Sequence, residues 1–124
     1  MRTIIAGSRG ITSLILVTEI IENSNIPITE VICGGARGVD SLGRKWAGNG
    51  NRIPVKLFTP KWDEFGKSAG YRRNVEMADN ADALIAIWDG ESRGTNHMIN
   101  IAKERGLKIA VAIVSGDSYY WRND

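Results

Sequence analysis

The chain has 124 residues, sixteen Lys and Arg against fourteen Asp and Glu, and a formal charge of +2. That length suits one domain burying roughly two-thirds of its unfolded surface, and the near-balanced charge argues against the strongly basic face of a duplex-binding protein. A lone cysteine, Cys33, excludes an internal disulfide, and a lone histidine, His97, excludes an imidazole metal cluster or a histidine dyad.

The first apolar run, residues 3–6, reads as a buried strand and breaks at Gly7, too soon for a signal-peptide core. Gly7-Ser8-Arg9-Gly10 follows, and Thr12 or Ser13 caps a helix through Ile21 that Asn25-Ile26-Pro27 ends. A second strand, 30–33, runs into Gly34-Gly35-Ala36-Arg37-Gly38. The helix starting near Gly38 places Val39, Leu42, Trp46 and Ala47 toward a sheet and stops at Gly48-Asn49-Gly50. A third strand, 55–58, leads to a loop holding Pro60, Lys61, Trp62 and Asp63, then to Gly66-Lys67-Ser68-Ala69-Gly70. The next helix runs from near Ser68 through Arg73 and Met77 to Asn80. The fourth strand, 83–88, is followed by Ser92-Arg93-Gly94 and by a helix from Gly94-Thr95 to Gly106, with Met98, Ile101 and Ala102 on one face. Residues 108–114 form the last strand.

This alternation predicts an α/β, Rossmann-like three-layer sandwich: a parallel five-stranded sheet of order 3-2-1-4-5 with helices on both faces, because parallel crossovers are right-handed. Residues 1–114 make up the domain. The polar tail, 115–124, carries Tyr119, Tyr120 and Trp121 and is expected to dock, since adjacent aromatics are costly to leave in water. The first helical segment is so apolar (Ile11, Leu14, Ile15, Leu16, Val17, Ile20, Ile21) that a homodimer or higher homo-oligomer is expected. No apolar stretch approaches the ~20 residues that span a bilayer, so a soluble, cytoplasmic protein without a membrane partner is expected.

Three strand exits share one local chemistry: Ser8-Arg9-Gly10, Ala36-Arg37-Gly38 and Ser92-Arg93-Gly94. In an open parallel sheet, ligands bind beyond the carboxyl ends of the strands where the winding reverses, so the order 3-2-1-4-5 brings these exits to one crevice. Glycine lets backbone approach a ligand, helix N-termini favour anions, and the guanidinium fork matches phosphate oxygens at about 1.5–3 kcal/mol per charge-assisted bond. Asp40 is placed to accept from a ribose, and Arg72 and Arg73 to add cationic charge. A P-loop is excluded because neither glycine-rich exit ends in Gly-Lys-Ser/Thr, and the dinucleotide fingerprint lacks its third glycine. His97 and Cys33 read as structural, whereas Trp62 has a place from which to cover a ligand.

In these residues the chain resembles the YspA/YpsA-like branch of the SLOG superfamily, Rossmann-like domains related to the LOG phosphoribohydrolases and to the DNA-processing protein DprA. The resemblance runs from Ile5 to about Ile113 through Ile5-Ala6-Gly7-Ser8-Arg9, Gly34-Gly35-Ala36-Arg37-Gly38-Val39-Asp40 with Trp46-Ala47, and Trp62 with Gly66-Lys67 and Ala69-Gly70. It continues through Arg72-Arg73-Asn74 with Met77, Ala81-Asp82-Ala83-Leu84-Ile85 and Ser92-Arg93-Gly94-Thr95. It implies a nucleotide-derived ligand with Gly7, Ser8, Arg9, Gly35, Arg37, Asp40, Gly94 and Thr95 at the pocket. The LOG enzymes carry, three residues after the matched threonine, a glutamate that works on the N-glycosidic bond; here that position is Met98, which holds no exchangeable proton. Arg73 matches their arginine, while Asn74 stands where they have lysine.

The reading is therefore a binding domain that senses or sequesters a nucleotide-derived, phosphate-bearing molecule, such as an ADP-ribose-like or cyclic nucleotide signal. No cofactor, metal or catalytic residue is assigned. The expected ligand-binding set is Gly7, Ser8, Arg9, Gly34, Gly35, Ala36, Arg37, Asp40, Arg72, Arg73, Asn74, Ser92, Arg93, Gly94 and Thr95. A LOG-like hydrolase, with Asp40, Glu76, Asp89 or Glu91 supplying the carboxyl group, is the alternative. Single-stranded nucleic-acid binding ranks third, since it needs a long basic groove.

Overall fold

The computed structural model describes residues 1–122. In chain order the elements are β1 (Arg2–Gly7), α1 (Leu14–Asn23), β2 (Glu30–Cys33), α2 (Val39–Gly48), β3 (Val55–Leu57), α3 (Trp62–Phe65), a 3-10 turn (Gly66–Ser68), α4 (Ala69–Asp79), β4 (Ala83–Trp88), α5 (Arg93–Glu104), β5 (Lys108–Ser115) and β6 (Ser118–Arg122).

The sheet has six strands in the order β3-β2-β1-β4-β5-β6. Its first five strands are parallel, with β1 pairing β2 on one side and β4 on the other. The expectation of a purely parallel five-stranded sheet is corrected at the tail. Residues 118–122 return as β6, antiparallel to β5 from Ser115↔Ser118 to Val111↔Arg122, so the sheet is mixed. Gly116 turns this hairpin at φ 61°. Within the tail, Tyr119 packs on the core and stands edge-on to Trp121 at 5.6 Å, while the Arg122 guanidinium lies over the Trp88 ring. The last two residues of the expected tail, 123–124, lie outside the described residues.

Strand side chains alternate between two apolar layers. On one face Ile5, Val31, Cys33, Ile85 and Ile87 meet Val17, Ile20 and Ile21 of α1 and Val39, Leu42 and Ala47 of α2. On the other, Ile4, Ala6, Ile32, Leu84 and Ala86 meet Met77 and Ala78 of α4 and Met98, Ile99 and Ala102 of α5. The first helix is capped by Ser13, whose side chain accepts from the Leu16 N–H. Its apolar residues are largely consumed inside the chain: Ile11, Leu16, Val17, Ile20 and Ile21 are buried, and only Ile15 is strongly exposed, at 85%. Among the described residues no helix is long and apolar enough to cross a membrane.

Two glycines let the strand exits pack together. A Cβ at Gly7 would fall on the Ile87 carbonyl oxygen of the neighbouring strand, and one at Gly38, which caps α2 at φ 73°, would meet the Ser8 and Arg9 carbonyls. The exits of β1, β2 and β4 are thereby drawn into contact at the carboxyl end of the sheet, where its winding reverses.

Candidate functional site

At that end lies a cleft of about 650 Å³, within the range of small-molecule sites. It continues into a smaller recess of about 90 Å³ beneath it. Arg9, Ala36, Arg73, Asn74 and Gly94 line both spaces, so the two are continuous. Gly35 and Arg37 add to the outer cleft, and Gly7, Asp40, Ser92 and Thr95 to the inner recess, whose floor is Met77 and Met98.

Four expected site residues line neither space. Ser8 is buried as a staple: its Oγ accepts from the Asp89 N–H at 2.9 Å and its own N–H donates to the Ile87 carbonyl at 3.1 Å, tying the β1 exit to that of β4. Gly34 lies directly under the Arg73 guanidinium, leaving no room for a side chain there. Arg72 turns away from the cleft, its guanidinium 4.3 Å from the centre of the Phe65 ring and its Nε donating to Ser68 Oγ. Arg93 is exposed outside both spaces because it is already the first residue of α5.

The buried part of the site is a hydrogen-bonded chain. Asp40 is 5% exposed, and its Oδ2 accepts from the Gly34 and Ala36 amides at 3.1 and 3.4 Å, which folds the loop after β2 around it. Burial pushes the Asp40 carboxyl above its usual range, against the pull of Arg73 and of the Ala36, Gly34 and Gly7 amides. Burial lowers the Arg73 guanidinium in turn; Asp40 opposes that shift and the nearby Arg9 adds to it. Arg73 donates from Nη1 to the Gly34 carbonyl and from Nε to Asn74 Oδ1. Asn74 Nδ2 donates to the Gly94 carbonyl at 3.2 Å and contacts His97 Nδ1 at 3.1 Å. An amide nitrogen carries only donors, so His97 Nδ1 is the acceptor and the imidazole proton sits on Nε2. Burial lowers the His97 pKa and favours this neutral form.

Cys33 shares that buried end of β2. Burial, then the Asp40 charge, push its thiol up to about 11, leaving it protonated and unreactive at neutral pH. Asp89 organises the turn into α5 by accepting from the Glu91 and Ser92 amides at 2.8 and 2.9 Å. Burial raises its carboxyl, but those amides and the Ser8 hydroxyl outweigh burial and hold it below the usual range. Among the described residues no group of His, Cys, Asp and Glu is arranged to hold a metal ion.

The cleft also has walls that charge-counting along the sequence does not reveal. Thr59, Pro60, Trp62, Lys67, Gly70 and Tyr71 close the side next to β3, so Trp62 does stand over the cleft. Tyr71 was hidden between Gly70 and Arg72 in a stretch notable for its glycines and charges. Helical spacing is the signal that finds this face: Gly70, Arg73, Asn74 and Met77 recur every three or four residues and all line the cleft or its recess, whereas Arg72 falls off the stripe.

The class is therefore a three-layer α/β domain with a cationic cleft at the switch point of its sheet. The chain belongs to the family of the Gene 61 protein of Mycobacterium phage D29, with which it is 36% identical over 84 residues, 64% of this chain and 67% of that protein. It is also 35% identical over 52 residues to the SPbeta prophage-derived protein YoqJ of Bacillus subtilis (strain 168), a stretch covering 42% of this chain and 30% of YoqJ. No family model matches the chain, and no solved structure matches it.

Proposed function

We propose that the cleft binds a nucleotide-derived, phosphate-bearing small molecule, as the resemblance to the SLOG superfamily implies, and holds it without consuming it. One observation carries this reading. Arg9, Arg37, Lys67 and Arg73 line one cleft, and among the described residues no carboxylate shares its wall. Such a set of like charges favours a multiply charged anion, and two or three charge-assisted bonds of about 1.5–3 kcal/mol each reach roughly micromolar affinity after the costs of association.

Retention rather than turnover is favoured by the recess. Met98 lies on its floor, and among the described residues the one carboxylate lining it, Asp40, has an oxygen engaged by two backbone amides. A glycoside-cleaving acid needs a carboxyl group free to face the scissile bond.

The test is to denature the purified protein, identify any small molecule released by mass spectrometry, and incubate that compound or a nucleotide panel with fresh protein. A phosphorylated nucleotide derivative recovered intact after prolonged incubation is the expected result. Chromatographic appearance of a free base or free phosphate would replace binding with hydrolysis. Calorimetry showing no uptake of any phosphorylated compound would remove the reading altogether.

A further inference from the structure

The cleft is chemically lopsided. Its inner end shares Arg9 and Arg73 with the recess, whereas Trp62 and Tyr71 line only the outer part. Both aromatics are large apolar groups left about half in water, Trp62 at 52% and Tyr71 at 47%. Each ring also rests against a neighbour. The Trp62 ring sits over Gly70, where an added Cβ would come within 3.6 Å of its Cη2. Tyr71 is held edge-on against His97 with ring centroids 4.6 Å apart. The short helix bearing Trp62 is tied to α4 by Arg72, stacked on Phe65 and bonded to Ser68. The recess, at about 90 Å³, is the narrower end of the cavity and suits a phosphate-sized group better than a heterocycle.

We infer that Trp62 and Tyr71 form a platform for a nucleobase, so that the ligand lies with its anionic end inward between Arg9 and Arg73 and its base outward on the two rings. This rests on the reading of the cleft as an anion site and adds what else the ligand must carry: a flat, uncharged heterocycle linked to the phosphate through a short spacer such as ribose. Braced rings lose little freedom on stacking, which is what makes a preorganised aromatic face effective. The cationic cleft wall disfavours a second cation on those rings and leaves a neutral base as the matching group.

Calorimetry on the full chain tests the platform with AMP, ADP and ADP-ribose against the base-free ribose 5-phosphate and pyrophosphate. Wild type is expected to bind at least one of the three nucleotides roughly tenfold more tightly than ribose 5-phosphate, the usual scale of one stacked base. Trp62→Ala should abolish most of that advantage while leaving ribose 5-phosphate affinity within about twofold, and Trp62→Phe should keep most of it. Tyr71→Ala provides a second variant and should lower the same advantage. Arg37→Ala should weaken nucleotide and ribose 5-phosphate alike.

Equal affinity with and without the base, or an advantage that survives both alanine variants, would overturn the platform and leave the anion site standing. Failure of wild type to bind any of the five probes would overturn both. An oligonucleotide bound more tightly than every mononucleotide would replace the small-molecule ligand with a single strand.

Discussion

The two ends of the sheet hold arginines in opposite settings. Where the strands begin, Arg2 donates to Asp82 from its backbone N–H, Nε and Nη2, and Arg105 reaches Asp79 Oδ1 at 2.8 Å. Where the parallel strands finish, Arg9 and Arg37 have no carboxylate partner among the described residues, and Arg73 has only the buried Asp40 for company. At the first end both arginines are paired within the chain. The second gathers like charges whose mutual repulsion an anion would relieve, so the same residue type closes the fold at one end and lines a cleft at the other.

Asp40 is the sharpest point at which to break this contrast, because it is the carboxylate buried beneath the cationic cluster. Asp40→Ala leaves the Gly34 and Ala36 amides without their acceptor and Arg73 without its counter-charge. A loss of about 3 kcal/mol in urea-unfolding stability is expected, the largest effect among the substitutions considered. A change within experimental error would mean that the loop after β2 holds its shape without this side chain and that the open end of the sheet is not organised from below.

The next test separates arginines within the cationic end. Arg37→Ala is expected to weaken nucleotide binding by about 1.5–3 kcal/mol, read by calorimetry, with the thermal midpoint of the free protein nearly unchanged. Arg93→Ala should leave both quantities as they are, since Arg93 lines neither space. Equal losses of affinity from the two variants would show that Arg93 swings into the cleft when a ligand binds. The contrast would then run between strand exits and α4, and no longer among the exits themselves.

Arg93 also shows where the sequence stops being legible. All three Arg-Gly exits look alike as text, but Arg9 and Arg37 lie in loops before their helices while Arg93 opens one, and the helical backbone directs its side chain elsewhere. The strands were readable because apolar runs as continuous as 83–88 have few other uses, and the order of the parallel five is a usual one for a doubly wound sheet. The sixth strand had a signal of its own: Gly116-Asp117 between two runs is a two-residue hairpin turn, and the aromatic stretch beyond it has strand propensity. The polar residues around those aromatics disguise it as a tail. Asp40 was legible as a site residue, while its task of accepting from two loop amides required coordinates.

The smallest expected effect is a pH dependence that runs through His97 into the open end of the sheet. Burial lowers the folded-state pKa of His97, while Glu104 on the same helix pulls the other way. The unfolded chain therefore takes up a proton before the native one does. Stability from this residue is complete above the ordinary imidazole value of about 6.5 and is lost as pH falls through the lower native value. Asp40 has the opposite sign: its carboxyl is raised, so the native state holds the proton longer and the Asp40 contribution falls as pH rises from the usual carboxylate range through the native value. Protonating His97 also turns Nδ1 from acceptor to donor against Asn74 Nδ2, and an amide that flips to answer it withdraws Oδ1 from Arg73 Nε. Nucleotide affinity should then fall together with stability. Thermal midpoints and AMP titrations between about pH 7.5 and about pH 5.5, the window in which histidine titrates, should show both trends in wild type. Both should flatten in His97→Asn, which keeps an acceptor near the Nδ1 position but cannot be protonated there. If the variant retains the full acid sensitivity of wild type, the relay from α5 through Asn74 to Arg73 carries no proton signal.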